Sequence, residues 1–158
     1  MNKNRSAVFK EIITVLREIG SVACLQCAAK LEADAFQTST LNLRSLDLKP
    51  QDALALATVL AEEKRNNTNA IKSVSFSYNH LMGDVGAIAL VQNLPHSVSE
   101  LGFVSCNIGD SAGREILTWM KATPQLQMIC MEGNMFSNRL KMEFGVFKKE
   151  NPSTVVVI

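Results

Sequence analysis

No run of about 18 apolar residues occurs in this chain of 158 residues, so no membrane-spanning helix is expected. The opening stretch, MNKNRSAVFKEIITVLREIG, holds basic and apolar residues. Glu11 and Glu18 interrupt the apolar region that a secretion signal would need. An excess of one charge is also lacking. Sixteen Lys and Arg stand against fifteen Asp and Glu, a net charge of +1, without the basic stripe of a nucleic-acid binder. These absences make a cytoplasmic protein the expectation, with no nucleic acid and no membrane among its partners. In such a chain the Asn66-Asn67-Thr68 sequon carries no glycan.

Residues that carry chemistry are few. His80 and His96 are the only histidines, and they fall in separate loops. No base, nucleophile and orienting acid are suggested together. The fragments Gly133-Asn-Met-Phe136 and Met82-Gly-Asp-Val-Gly86 read as turns, not as a phosphate cradle. The four cysteines, Cys24, Cys27, Cys106 and Cys130, are expected to be reduced thiols in an unsecreted chain. Cys24-Leu-Gln-Cys27 has C-x-x-C spacing, but a zinc site needs four ligands and no second pair has this spacing. A redox pair is expected at a strand-to-helix junction, whereas these two lie inside an expected helix. Core or cap packing is their reading; thiol-redox work is the alternative, to be tested by alkylation rate. No catalytic, cofactor-binding or metal-ligating residue is assigned, and the chain is expected to be a non-enzyme without a cofactor.

What the sequence does contain is a repeated phrase. Ile71-Lys-Ser-Val74-Ser-Phe76-Ser-Tyr-Asn79-His-Leu81 is followed by Gly86. Val98-Ser-Glu-Leu101-Gly-Phe103-Val-Ser-Cys106-Asn-Ile108 is followed by Gly113. Leu126-Gln-Met-Ile129-Cys-Met131-Glu-Gly-Asn134-Met-Phe136 opens the phrase again. The period is 27 and then 28 residues. A fixed period of this length signals a stacked array. Within each phrase the apolar-x-apolar core is a short strand with alternating faces. Asn79 and Asn134, with Cys106 as the alternative, stand where the chain turns and a side chain can satisfy open backbone groups. Gly86 and Gly113 are expected where each helix lies close to its own strand. An earlier copy, Leu41-Asn-Leu43-Arg-Ser-Leu46-Asp-Leu48, has Leu46 in place of the turn residue and Ala53 in place of Gly. Its polar rung is missing. The spacing to the next strand is 33 residues, and the excess falls in the polar stretch 62–69, read as a protruding loop.

This phrase resembles the leucine-rich repeat, and its length and helical second half are similar to the ribonuclease-inhibitor type. The resemblance covers residues 38–158. It implies an α/β solenoid, a short horseshoe with a parallel sheet on the concave side and helices on the convex side. Three repeats occupy about 38–69, 71–97 and 98–125, and a fourth has its strand at Ile129 to Met131 and its helix at Ser137 to Lys149. Ser153 to Ile158 form a fifth, terminal strand. In the helices, Pro50 suits a first turn, and Val85, Ile88, Ala89, Val91 and Leu94 form one apolar series. Ile116, Leu117 and Met120 form the next. In the last, Ser137 caps the helix and Leu140, Phe144 and Phe147 line one face. Residues 1–37 lack the phrase and read as an N-terminal helical cap, because an open repeat end needs covering. Its first helix has Val8, Ile12, Val15, Leu16 and Ile19 at helical spacing, with Asn4 or Ser6 as cap and Gly20 as stop. Its second runs from Ser21 to about Ala35 with Val22, Leu25, Ala28, Ala29 and Leu31 apolar. A partner-binding helical hairpin is the rival reading of this segment. The helical start and charged last helix favour a whole small protein over part of a longer array.

Strand alternation then gives the concave surface. Its leading column is Thr40, Ser73, Glu100 and Met128. The middle column is Asn42, Ser75, Gly102 and Cys130, and the trailing one Arg44, Ser77, Val104 and Glu132. From these, Arg44, Ser73, Ser75, Ser77, Glu100, Val104, Met128, Cys130 and Glu132 are the candidate partner-binding residues. The loop 62–69 and the convex helices are the competing locations. Trp119 is read as packing, with a partner anchor as the alternative. The expected function is non-catalytic protein–protein interaction, as an adaptor, scaffold or regulatory binding domain. Alternatives are regulation of a partner enzyme such as a GTPase, for which only Arg44 is placed, and actin capping as in tropomodulin-like repeats. A monomer is expected; pairing through the uncharged edge of the terminal strand is the alternative.

Overall fold

A computed structural model describes residues 3–34 and 37–158, with side chains from residue 7 onward. Two helices come first, α1 (Lys3–Ile19) and α2 (Val22–Ala33). Gly20, at φ +75°, makes the left-handed turn between them. Ser21 caps α2 by accepting from the Cys24 N–H at 3.2 Å. Asn4 and Ser6 lie within α1, and their side chains are outside the described residues, as is Ala35. α1 buries Val8, Phe9, Ile12, Ile13 and Leu16 against α2 and the helix that follows β1. α2 buries only Cys24, Ala28 and Leu31. Val22 and Leu25, expected in its apolar set, are 73% and 45% exposed, because only one narrow face of this helix meets a neighbour.

Strands and helices then alternate: β1 (Thr40–Asn42), α3 (Pro50–Asn66), β2 (Ser73–Ser75), α4 (Gly83–Asn93), β3 (Glu100–Gly102), α5 (Asp110–Lys121), β4 (Met128–Cys130), α6 (Asn138–Glu150) and β5 (Val155–Val157). The strands pair in parallel in chain order. Their register places Leu41, Val74, Leu101, Ile129 and Val156 in one column, each at most 4% exposed. Phe76 and Phe103 stack beneath it with centroids 5.2 Å apart. Four residues past each of the first four strand centres the backbone turns left-handed, at Ser45, Tyr78, Ser105 and Gly133 with φ of 56°, 63°, 51° and 75°. That turn ends each strand after three residues.

The rungs work across neighbouring repeats. The Asn79 side chain donates to the carbonyls of Leu43 (2.9 Å) and Phe76 (2.6 Å) and accepts from the N–H groups of Leu46 and Leu48, both at 3.1 Å. Asn134 repeats the pattern toward Phe103, Met131, Cys106 and Ile108. The Cys106 thiol donates to the Phe76 carbonyl at 3.2 Å. Leu46 therefore leaves no gap: Asn79 satisfies the first coil from the second, and the Leu46 side chain is buried.

The helices depart from expectation in three places. Gly86 and Gly113 make room for adjacent coils rather than for their own strands. A Cβ on Gly86 would lie 2.7 Å from Met82 Cγ in its own coil and 3.1 Å from the Ala53 Cβ of α3, and one on Gly113 would lie 2.4 Å from Leu140 Cδ2 of α6. The stretch 62–69 is no protruding loop, since α3 continues to Asn66. Glu63, 4% exposed, anchors the return by accepting from the Ala70 N–H at 3.1 Å and from the Thr68 hydroxyl. Val85 is 62% exposed because it lies off the face of α4 that packs.

Candidate functional site

Strands β2, β3 and β4, with Arg44 after β1, line one concave trough, and its floor is largely polar because the residues that alternate outward include Ser73, Ser75 and Glu100. All nine candidate residues line it, and it holds about 330 Å³. They are not equivalent. Ser77 is buried at 3%, with its hydroxyl accepting from the Val104 N–H at 3.0 Å, so it is a structural bridge and not a contact residue. Gly102 keeps the floor low: a Cβ there would lie 2.9 Å from Ser77 Oγ and 3.0 Å from Ser75 Oγ.

Charge is divided along the trough. Arg44, beside β1, lays its guanidinium over the Tyr78 ring at 5.0 Å. Glu100 stands on the middle strand and Glu132 past β4 toward the other end, and one Glu132 carboxylate oxygen is shut from water without a hydrogen-bond partner. Glu132 also reinforces what burial does to the adjacent Cys130, whose thiol is pushed up from its ordinary 9.0.

Sequence reading does not find Tyr78. It is 39% exposed and faces the trough from a left-handed backbone. Gly133 at the matching position is the one signal that could have revealed this conformation. Nor does it find the hollow of about 580 Å³ between α2 and β1, lined by Gln26, Cys27, Lys30, Thr38 and Asn42 and joined to the trough through Arg44.

The remaining candidates have structural surroundings. The Cys24 thiol donates to the Leu46 carbonyl at 3.9 Å, and that of Cys27 to the Asn42 carbonyl at 3.5 Å. Burial pushes both thiols up, the reverse of what a reactive thiolate requires. His96 Nδ1 lies 2.8 Å from the Thr123 hydroxyl, which itself donates to the Trp119 carbonyl, so the ring nitrogen is the donor. Burial, reinforced by Lys64, holds this imidazole below 6.5. Trp119 is 5% exposed, which makes it core. Among the described residues, no group of three or more His, Cys, Asp or Glu converges as a metal site would require, and no helix is long and apolar enough to cross a membrane.

Parallel three-residue strands, asparagine and cysteine rungs, and helices stacked outside define a leucine-rich repeat solenoid. Solved structures share it. The leucine-rich repeat domain of Mex67 from Chaetomium thermophilum superposes with a TM-score of 0.52 at 22% identity, over 75% of this chain and 80% of that one. A chain in a structure of the Chaetomium Mex67:Mtr2 subunits gives 0.50 at 20% identity, with the same coverage. No protein-family model matches the sequence, nor does any curated protein.

Proposed function

We propose that this protein is a non-catalytic interaction module of the ribonuclease-inhibitor-like repeat type, whose concave trough receives another protein. One observation carries the reading: the trough sets the exposed Arg44 at one end and Glu132 toward the other, with Tyr78 and Met128 each 39% exposed beside them. Opposite charges held apart on one accessible surface select and orient a partner of complementary charge. The contact residues in this reading are Arg44, Ser73, Ser75, Glu100, Val104, Met128, Cys130 and Glu132, with Tyr78 added. The surface is mildly polar and oppositely charged at its ends. It suits a partner with an acidic group near Arg44 and a basic one near Glu132. The Mex67 chain of the second similar structure is described together with Mtr2, which fits an interaction role. Residues 1–37 serve as the cap of the solenoid in this reading, and the working compartment is the cytoplasm.

The test is capture from native lysate with the wild type beside Arg44→Glu, Ser75→Arg and Val104→Glu variants, each first checked for folding by circular dichroism. A protein retained by the wild type and lost by all three supports the trough. A protein retained equally by all four sinks it and moves the site to the α2–β1 hollow or the convex helices.

A further inference from the structure

The hollow of about 580 Å³ between α2 and β1 carries more positive than negative charge. Two cations line it, Lys30 from α2 and Arg44 from the coil after β1, against one carboxylate, Asp34. All three are exposed, and among the described residues none of them is in an ion pair. Leu31 and Leu46, each 6% exposed, give the hollow an aliphatic part, and Thr38 adds a hydroxyl. Arg44 lines this hollow and the concave trough alike, so the two are continuous. The strand register also puts Arg44 and Glu132 in one row, each four residues past the paired positions Thr40 and Met128. A line drawn across the strands along that row starts in the cationic hollow and ends at an acid.

We propose that the α2–β1 hollow receives a glutamate side chain from an extended segment of the partner, which then crosses the trough and sets a Lys or Arg at Glu132. This inference rests on the reading of the trough as the partner site. Charge selects the occupant of the hollow. One added carboxylate brings Lys30, Arg44 and Asp34 to neutrality, whereas a run of acids would leave an excess of negative charge beside Asp34. Glutamate fits better than aspartate, because its methylenes can lie on Leu31 and Leu46 while the carboxylate accepts from the Lys30 ammonium and the Arg44 guanidinium. The sheet fixes the spacing. From β1 to β4 is three strand spacings, about 14 Å, and the hollow adds up to about one more. At about 3.3 Å per extended residue, the glutamate and the basic residue stand about four to six residues apart. The cap helix α2 is thereby part of the recognition surface, with Lys30 as its specificity residue.

A displayed library of random peptides about twelve residues long, enough to cover this span, is selected on the full chain. The expected result is enrichment of peptides with Glu and a Lys or Arg about four to six positions apart. One such peptide is synthesised, and its affinity is measured by fluorescence anisotropy. Lys30→Glu, at an exposed position and checked for folding by circular dichroism, should weaken it about fivefold or more. Replacing the peptide's Glu with Lys should restore binding to that variant and weaken binding to the wild type, a coupling that loss of fold cannot imitate. A peptide indifferent to Lys30→Glu but lost with Ser75→Arg overturns the hollow and leaves the trough standing. A peptide indifferent to Ser75→Arg overturns the crossing path, and the trough as its site, whatever Lys30 does. A library that enriches nothing overturns the extended segment, and the trough is then judged by the capture experiment alone.

Discussion

The side-chain amide of Asn79 donates to the carbonyl of Leu43, 36 residues earlier, at 2.9 Å. That bond joins two coils of the solenoid, and it belongs to a set of four made by this one side chain. Replacing Asn79 with Ala strands four buried backbone groups at once. Each unsatisfied group costs about 1–3 kcal/mol, with partial relief by local rearrangement. Asn79→Ala should therefore lose about 3 kcal/mol or more, read as a fall in the urea midpoint at unchanged slope. A loss below about 1 kcal/mol would show that the rung is dispensable.

Cys106 holds the same position one repeat later with a thiol. It is fully buried, and burial raises its pKa from 9.0 to about 11. In the unfolded chain the thiol ionises near 9, while in the folded protein it stays neutral until about 11. The stability this difference confers is present below pH 9 and lost as pH rises toward 11. Its size is on the order of 2–3 kcal/mol. Wild-type stability should fall faster over this window than that of Cys106→Ala, which is less stable at neutral pH but lacks the titration. Parallel curves from pH 8 to 11 would refute the assignment.

How far the sequence reveals this molecule follows from which forces act locally. The strand columns are legible because period-two alternation and a fixed repeat length leave one register that buries Leu41, Val74, Leu101 and Ile129 together. Rung positions are legible for the same reason. The direction of rung bonding is not, since Asn79 acts on a coil 33 residues away and its own repeat carries no trace of that. Stretch 62–69 misleads because its polar composition reads as a loop, whereas Glu63 turns inward to hold the Thr68 hydroxyl and the Ala70 N–H. Ser77 misleads because its hydroxyl is taken up by the Val104 N–H of the next coil, a bond that its own repeat does not reveal. The trough is thus readable as a set of columns, but not the burial of Ser77 nor the contribution of Tyr78.

Two helix glycines separate close packing from helix propensity. A Cβ on Gly113 would meet Leu140 Cδ2 at 2.4 Å and Phe136 Cε1 at 2.9 Å, both side chains of the packed core. Gly113→Ala should cost about 1–3 kcal/mol through overpacking, despite the better helix former. Gly145→Ala meets open space and should gain up to about 1 kcal/mol from propensity alone. Thermal midpoints moving in opposite directions confirm the contrast, and a shared sign removes it.

Tyr78 sets stability against binding. A tyrosine at φ 63° costs on the order of 1–2 kcal/mol relative to glycine, which tolerates that backbone freely. It returns little of this to the fold, because its ring is 39% exposed and its contact is the Arg44 guanidinium, itself exposed. The conformation belongs to the fold, since Ser45, Ser105 and Gly133 share it; what is particular here is a large aromatic kept in it at an exposed position. Tyr78→Gly should accordingly raise stability by about 1 kcal/mol in urea denaturation. The same change frees Arg44 from its ring and removes an aromatic from the trough, so capture of the concave-face partner should drop with it. A variant both more stable and equally able to hold the partner would leave the strain unexplained and take Tyr78 out of the site.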